Sequence, residues 1–170
     1  MFITVTGGSG SGKSAFAEEQ ILKFPPGNRI YIATMMCFDE ESRKRVARHR
    51  QMRKDKQFET LECYTDLEHA DIPYGSTVLL ECMSNLTANE IFSPDGAKDQ
   101  TYEAVCRGIL HLKERAAHVC VVTNEIFSDG ISYDKETQNY QQILGKLNAF
   151  LAEISDACYE VVYGIPLKFR

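Results

Sequence analysis

The chain has 170 residues, 44% hydrophobic and 25% charged, which fits one globular domain over residues 1–170 and excludes disordered, collagen-like and coiled-coil chains. No apolar run approaches the roughly 18 to 20 residues of a membrane helix, and no signal segment precedes the first apolar residues, so we expect a cytoplasmic protein without a membrane span. The net charge of -5 argues against a nucleic-acid partner. The six cysteines are scattered and form no CxxC pair, which indicates free, mostly buried thiols rather than a structural zinc site.

Apolar and polar residues follow one another in a pattern that predicts alternating strands and helices. In chain order the pattern predicts a strand at residues 2–6, a helix at 13–24, a strand at 29–34, a helix at 39–54, strands at 58–63 and 76–81, helices at 85–92 and 100–115, a strand at 118–123, a helix at 140–154, a strand at 158–163 and, after a turn at 164–166, an edge strand at 167–170. Segments 93–99 and 124–133 are predicted to be irregular connections. This alternation indicates a mostly parallel sheet with an antiparallel edge strand at the C-terminus.

A glycine-rich loop follows the first predicted strand. Residues 7–14 read GGSGSGKS and fit the pattern GxxxxGK[ST] at the start of a predicted helix, which is the context this motif requires. In such a loop, successive backbone N–H groups and the helix N-terminus surround a phosphate, Lys13 reaches the β and γ phosphates, and the Ser14 hydroxyl binds Mg²⁺. The candidate phosphate site is Gly7, Gly8, Ser9, Gly10, Ser11, Gly12, Lys13 and Ser14. The expected fold class is therefore α/β, a P-loop NTPase-like three-layer sandwich.

An acidic residue ends one of the neighbouring strands. Phosphoryl-transfer sites of this class need a carboxylate at such a position to hold magnesium or its water shell. The strand sequence STVLLE supplies Glu81 there, and we predict that Glu81 and Ser14 bind the metal while Lys13 and Glu81 take part in catalysis. The alternative is that Glu81 only ends its strand and has a structural role.

Segment 43–56 is strongly basic and contains His49. Its basic residues are Arg43, Lys44, Arg45, Arg48, Arg50, Arg53, Lys54 and Lys56, with Asp55 as the only acid. Cations flank His49 and lie one helical turn away, so they favour a neutral imidazole whose nitrogen can attack a phosphorus atom. The alternative is a solvated basic helix with an ordinary surface histidine.

Taken together, the motifs resemble one enzyme family along nearly the whole chain. In order they are VTGGSGSGKSAFAE, YIAT followed by DEE and RxxxHRxxR, TLEC, VLLEC with a following Asn89, VVTNE, GKLN and GIPLK. They are similar to the bifunctional adenosylcobinamide kinase/adenosylcobinamide-phosphate guanylyltransferases of cobalamin nucleotide-loop assembly. The histidine and VVTNE segments are the more specific part, because many families share the P-loop.

The resemblance implies a reaction, substrates and a site. ATP or GTP would phosphorylate the aminopropanol hydroxyl of adenosylcobinamide, and a histidine matching His49 would take GMP from GTP and pass it to adenosylcobinamide phosphate. Mg²⁺ and a homotrimer are implied as well. The implied guanine-nucleotide site comprises residues 7–14 together with Ala33, Thr34, Met35, Arg50, Gln51, Met52, Arg53, Glu62 and Glu81.

Two segments depart from the family pattern. Residues 126–133 (IFSDGISY) replace a glycine-rich loop that ends in proline, and residues 138–142 (QNYQQ) lack the usual arginine and aspartate. Two alternatives therefore stay open. One is a P-loop kinase that phosphorylates a different small molecule, and the other is a nucleotide-binding protein without turnover, although a binding module needs no nucleophile.

Overall fold

The computed structural model describes residues 1–37, 40–53 and 56–170, apart from the side chains of residues 42, 45, 49, 50, 52 and 53. In chain order its strands and helices are β1 (Phe2–Thr6), α1 (Lys13–Leu22), β2 (Arg29–Ala33), α2 (Glu40–Arg53), β3 (Phe58–Glu62), β4 (Thr77–Glu81), α3 (Met83–Phe92), α4 (Thr101–Arg115), β5 (His118–Val122), α5 (Lys135–Ile154), β6 (Ala157–Val162) and β7 (Ile165–Lys168). Short 3-10 turns lie at Leu67–His69 and Lys98–Gln100.

All seven strands belong to one sheet, in the order β3-β2-β4-β5-β1-β6-β7. Every pair is parallel except β6 with β7, which is antiparallel. The register places Ala33, Glu81 and Val122 side by side, and Val5 pairs with Val122 on the other side of β5. The carboxyl ends of four strands therefore meet at one edge, where residues 7–14 leave β1.

Helices cover both faces of the sheet and form two apolar cores. On one face, α1 buries Ala17 and Ile21 against alternate residues of β1, β4 and β5. On the other face, α3, α4 and α5 bury Leu86, Ile109 and Leu147 against the intervening residues of the same strands. Because both faces are covered, the central strands β1, β4 and β5 are mostly apolar. The predicted fold class, an α/β three-layer sandwich with an antiparallel C-terminal edge, is confirmed.

The predicted elements match the observed ones to within two residues at each end, except at the start of α5. The predicted ends of α2, residues 39 and 54, lie outside the described residues. That helix begins at Lys135 rather than at residue 140. Asp134 is its N-cap, and the carboxylate accepts hydrogen bonds from the backbone N–H of Thr137 at 2.9 Å and from the Thr137 hydroxyl at 2.8 Å. The first turn is polar, so hydrophobic periodicity missed it, although Asp before a helical run is a recognised start signal.

The C-terminal hairpin also differs from the prediction. The predicted turn at 164–166 is wrong, because Ile165 already pairs with Val162 and the turn consists of Tyr163 and Gly164. Both turn residues have positive φ, 50° and 79°, as a two-residue hairpin turn of type I′ requires. Pro166 lies within β7, an edge strand, where a missing N–H is tolerated.

The cysteines bear out the prediction of free, mostly buried thiols. All six cysteines are free, and Cys63, Cys82, Cys120 and Cys158 are buried. Over the described part of the chain, none of the helices has both the length and the apolar character that crossing a membrane demands.

Candidate nucleotide-binding site

The glycine-rich loop, residues 7–14, connects β1 to α1 at the carboxyl edge of the sheet. Gly12 is the N-cap of α1 and has a φ of 92°, a left-handed conformation that favours glycine. A side chain at Gly7 would bring its Cβ to 2.6 Å from the carbonyl oxygen of Val161 in β6. The glycines are thus required by the backbone path and by close packing against the sheet.

The Lys13 side chain folds back over this loop. Its Nζ donates a hydrogen bond to the carbonyl oxygen of Gly8 at 2.9 Å. Burial lowers the pKa of Lys13 below its usual value, and nearby Cys82 and Glu81 oppose that effect. The neighbouring groups therefore do not offset the full cost of burying the positive charge. A bound polyphosphate would stabilise the charged form of Lys13.

Ser14 and Glu81 meet at the end of β4, as the sequence predicted. The Ser14 hydroxyl donates a hydrogen bond to Oε1 of Glu81, and the Tyr31 hydroxyl donates to Oε2 at 3.3 Å. Glu81 is buried, with 9% of its surface exposed. A carboxylate beside a hydroxyl is a pair of hard oxygen donors, which is the ligand type that Mg²⁺ prefers. The residues present therefore fit a magnesium ion.

A cavity of about 600 Å³ opens in front of the loop, a size that suits a small-molecule ligand. Outside residues 7–14, its lining includes Met35, Arg48, Glu81, Cys82, Asn85 and Asn124. Arg48 belongs to α2, so the basic helix and the glycine-rich loop of residues 7–14 line the same cavity. Two cationic side chains, Lys13 and Arg48, line a space that also holds the Ser14 and Glu81 pair.

Comparison with known proteins assigns the chain to a family. The family model described as "Cobinamide kinase / cobinamide phosphate guanyltransferase" matches residues 3–169. The chain belongs to that family. Two curated relatives, each described as "Bifunctional adenosylcobalamin biosynthesis protein CobU", come from Escherichia coli K12 and Salmonella typhimurium LT2. They are 33% and 32% identical to this chain, with 100% of both chains covered in each case.

One solved structure with a related shape is the flagellar accessory protein FlaH from Methanocaldococcus jannaschii. The likeness covers 94% of this chain and 70% of that chain, with a TM-score of 0.45 and 9% sequence identity. A likeness this distant has no bearing on function. The cobinamide kinase/guanyltransferase family is therefore assigned by sequence alone.

Several site residues that the family resemblance implies do not line the cavity. Thr34 is fully buried; its hydroxyl donates to the carbonyl oxygen of Cys82 at 2.8 Å and accepts from the Cys82 N–H at 2.7 Å. Ala33 ends β2 beside Glu81, and Glu62 is exposed at the end of β3, where it accepts a hydrogen bond from the Tyr64 hydroxyl. Thr34 thus holds β2 to the segment after β4.

Four implied residues of α2 are placed only as part of the helix. The side chains of His49, Arg50, Met52 and Arg53 lie outside the described residues, and Gln51 is exposed on α2. His49 directly follows Arg48 along the chain. The helix that contains the predicted nucleophile is therefore the one whose Arg48 lines the cavity in front of the P-loop.

Asn85 and Asn124 line the cavity but were not predicted as site residues. Asn85 lies in the first turn of α3, and Asn124 follows β5 within the VVTNE segment. The Asn124 side-chain amide donates to the Ser84 hydroxyl, which joins the segment after β5 to the first turn of α3. Ligands of parallel α/β sheets bind beyond the carboxyl ends of the strands, and that rule could have identified Asn124.

A second cavity of about 400 Å³ lies next to the first, since Asn124 lines one and Glu125 the other. Its lining includes Ile126, Ser128, Asp129, Tyr133 and Gln141, which all belong to the two segments that depart from the family pattern. Tyr140 also lines it; burial raises the pKa of its phenol to about 12, and the phenol donates to the Ser84 carbonyl at 3.3 Å. The departures from the family pattern are thus concentrated around one cavity.

An ion pair connects the chain just after α2 to α1. The Lys56 ammonium donates to Oε2 of Glu18, whose side chain is 2% exposed while that of Lys56 is 28% exposed. Helix α1 begins within the glycine-rich loop of residues 7–14. The pair therefore fixes the chain that leaves the basic helix to the helix that follows the P-loop.

We expect Lys56→Met to lower the free energy of unfolding by about 2 to 3 kcal/mol, because it leaves the Glu18 carboxylate buried without its cation. Urea titration measures the loss. Lys44→Met is the matched control, since the Lys44 and Glu40 side chains are 75% and 79% exposed and such a pair contributes at most about 0.5 kcal/mol. Equal effects of the two substitutions would contradict a structural role for the Glu18 pair.

Proposed function

We propose that this chain phosphorylates the aminopropanol hydroxyl of adenosylcobinamide and then transfers GMP from GTP to the resulting adenosylcobinamide phosphate, a role in adenosylcobalamin biosynthesis. The observation that carries the proposal is one shared cavity, which is lined by Lys13, by the Ser14–Glu81 pair and by Arg48 of the basic helix. The family model and the two curated relatives support the same pair of activities.

In the proposal, the nucleotide's phosphates occupy the loop of residues 7–14. Backbone N–H groups of the loop and the N-terminus of α1 contact the phosphate oxygens, and Lys13 exchanges its bond to the Gly8 carbonyl for the β and γ phosphates. Ser14 and Glu81 would hold Mg²⁺ or its water shell, and the ion, when bound, neutralises phosphate charge. Arg48 adds a second positive charge to the lining of the cavity.

Phosphorylation of the cobinamide is a single displacement. The substrate hydroxyl attacks the γ phosphorus of the nucleotide, the bond from that phosphorus to the bridging oxygen breaks, and the hydroxyl proton passes to solvent. Lys13 stabilises the charge that develops on the bridging oxygen. This step needs the loop and Lys13 but not His49.

Guanylyl transfer takes two displacements at the α phosphorus of GTP. A neutral ring nitrogen of His49 bonds to phosphorus, the bond to the bridging oxygen breaks, pyrophosphate leaves, and the proton on the other ring nitrogen passes to solvent. A phosphate oxygen of adenosylcobinamide phosphate then attacks the same phosphorus, the N–P bond breaks and the imidazole regains a proton. The cations of α2 favour both steps because they neutralise phosphate oxygens.

A second candidate function is a P-loop kinase with a different acceptor. The second cavity favours it, because its lining comes from the segments in which this chain departs from its family. Retained guanylyl transfer would exclude this candidate, since a plain kinase forms no bond between GMP and its acceptor.

One assay tests the proposal directly. Adenosylcobinamide, Mg²⁺ and the protein are incubated with either γ-labelled or α-labelled GTP, and the corrinoids are separated by chromatography. We expect label from both nucleotides to reach the corrinoid, first as phosphate and then as GMP. A corrinoid that receives neither label would contradict the proposal. A corrinoid that receives only the γ-label would support the kinase activity and contradict guanylyl transfer.

We expect Glu81→Gln to reduce nucleotide turnover by roughly 10- to 100-fold, because the amide keeps the shape but cannot supply the negative charge for the metal. Excess Mg²⁺ should restore the rate only in part. Glu59→Gln, an exposed glutamate on β3, serves as the control. Full activity of the Glu81 variant at ordinary Mg²⁺ would show that Glu81 has a structural role and does not bind the metal.

A further inference from the structure

The turn between β6 and β7 contacts the P-loop directly. The backbone N–H of Gly164 donates a hydrogen bond to the carbonyl oxygen of Ser11 at 2.8 Å. A Cβ on Gly12 would lie 3.5 Å from the Cα of Gly164, so the two backbones are in contact. This turn is therefore fixed beside the loop that binds phosphates in the proposed function.

Tyr163, the other residue of the turn, is the most exposed aromatic residue in the described part of the chain, at 95%. No hydrogen bond or ring contact joins its side chain to another described residue. Its φ of 50° is a left-handed conformation in which asparagine and glycine are far commoner than tyrosine. A large apolar ring is thus presented to solvent at a backbone position that does not favour it, which is a pattern found at functional sites.

We propose that Tyr163 is a stacking surface for the purine base of the nucleotide whose phosphates occupy residues 7–14. The inference rests on the proposed function, because it needs a nucleotide at the loop. The hydrogen bond from Gly164 to Ser11 places the neighbouring Tyr163 beside the loop. An exposed aromatic ring can stack on any base, because stacking makes no hydrogen bonds to the edge of the base. The stacking surface therefore accepts guanine and adenine alike, and discrimination between the nucleotides lies elsewhere in the site.

The composition of the chain provides a reporter, because it contains no tryptophan. In Tyr163→Trp the single indole would stack on a bound purine, and its emission would be quenched. Tyr74→Trp is the matched control: Tyr74 is 81% exposed and precedes β4, at the opposite end of the strands from the P-loop. Tripolyphosphate is the matched ligand, since it offers phosphates to the loop but has no base.

We expect Mg²⁺ complexes of GTP and of ATP to quench Tyr163→Trp with the Kd that calorimetry gives, and tripolyphosphate to bind without quenching. Tyr74→Trp should respond to none of them. Tyr163→Ala should weaken both nucleotides roughly 5- to 10-fold and leave tripolyphosphate unchanged, whereas Tyr163→Phe keeps the wild-type Kd.

Three results would overturn the inference, and they are distinguishable. Calorimetric binding of GTP without quenching, together with an unchanged Kd in Tyr163→Ala, would remove the stacking role and leave the proposed function intact. Quenching that follows protein concentration instead of nucleotide would assign Tyr163 to a contact between copies of the chain. Absence of nucleotide binding by calorimetry would remove the proposed function and the inference with it.

Discussion

Lys13→Ala is expected to slow both phosphoryl and guanylyl transfer by roughly 10² to 10³-fold, because in the proposed function it removes the cation that binds the β and γ phosphates. In the proposed function both half-reactions use the loop, so both rates should fall together. Rates with saturating adenosylcobinamide and GTP, and the Kd for GTP by calorimetry, measure the effect. The fold should survive, because within the described part of the chain the Lys13 ammonium makes one hydrogen bond, to the Gly8 carbonyl, and burial lowers its pKa.

Lys23→Ala is the control for that substitution, since Lys23 follows the same helix and its ammonium contacts the Gln20 side chain at 3.1 Å on the surface. Its rates and Kd should equal those of the wild type. Unchanged GTP affinity and unchanged rates in Lys13→Ala would show that residues 7–14 do not bind the nucleotide's phosphates.

His49→Ala is expected to separate the two half-reactions. Guanylyl transfer should fall to background, at least roughly 10³-fold, because the proposed nucleophile is lost, while phosphorylation of adenosylcobinamide stays within about threefold of the wild type. Parallel assays with α-labelled and γ-labelled GTP measure the two rates in the same protein. Lys13→Ala loses both rates and His49→Ala only one, so the pair of variants distinguishes phosphate binding from nucleophilic attack.

His69→Ala is the matched control for the histidine. His69 is exposed, and its Nδ1 lies 2.7 Å from the Asp66 carboxylate, which raises its pKa through that hydrogen bond. Its removal should leave both rates unchanged. Equal loss of phosphorylation and guanylyl transfer in His49→Ala would mean that His49 supports the fold or the cavity instead of acting as the nucleophile.

The contact between Ser14 and Glu81 could be predicted from the sequence, and the reason is topological. A P-loop follows one strand, Glu81 ends another, and parallel strands bring their carboxyl ends to a single edge. Two local signals, a strand-turn-helix motif and an acidic strand end, therefore sufficed to place two side chains together. The same rule predicts the position of Asn124 after β5.

Contacts between distant, individually ordinary residues could not be predicted. Neither the pairing of Glu18 with Lys56 nor the place of Arg48 in the cavity has a local sequence signature, because each depends on how α2 packs. The use of the Thr34 hydroxyl against the Cys82 backbone is likewise set by the packing of β2 against β4. The C-terminal turn was predicted at 164–166 because glycine and proline are common turn residues. The observed turn instead contains Tyr163 at positive φ, a conformation that is rare for tyrosine.

The central claim is that GTP transfers its GMP to His49. The wild-type protein is incubated with α-labelled GTP and Mg²⁺ without corrinoid, its intact mass is measured, and the labelled peptide is sequenced. The account predicts a mass gain of one GMP on His49 that is labile to acid and stable to base, as a phosphoramidate is, with no retained label from γ-labelled GTP. Label on His69, His111 or His118, or no covalent label at all, would contradict it.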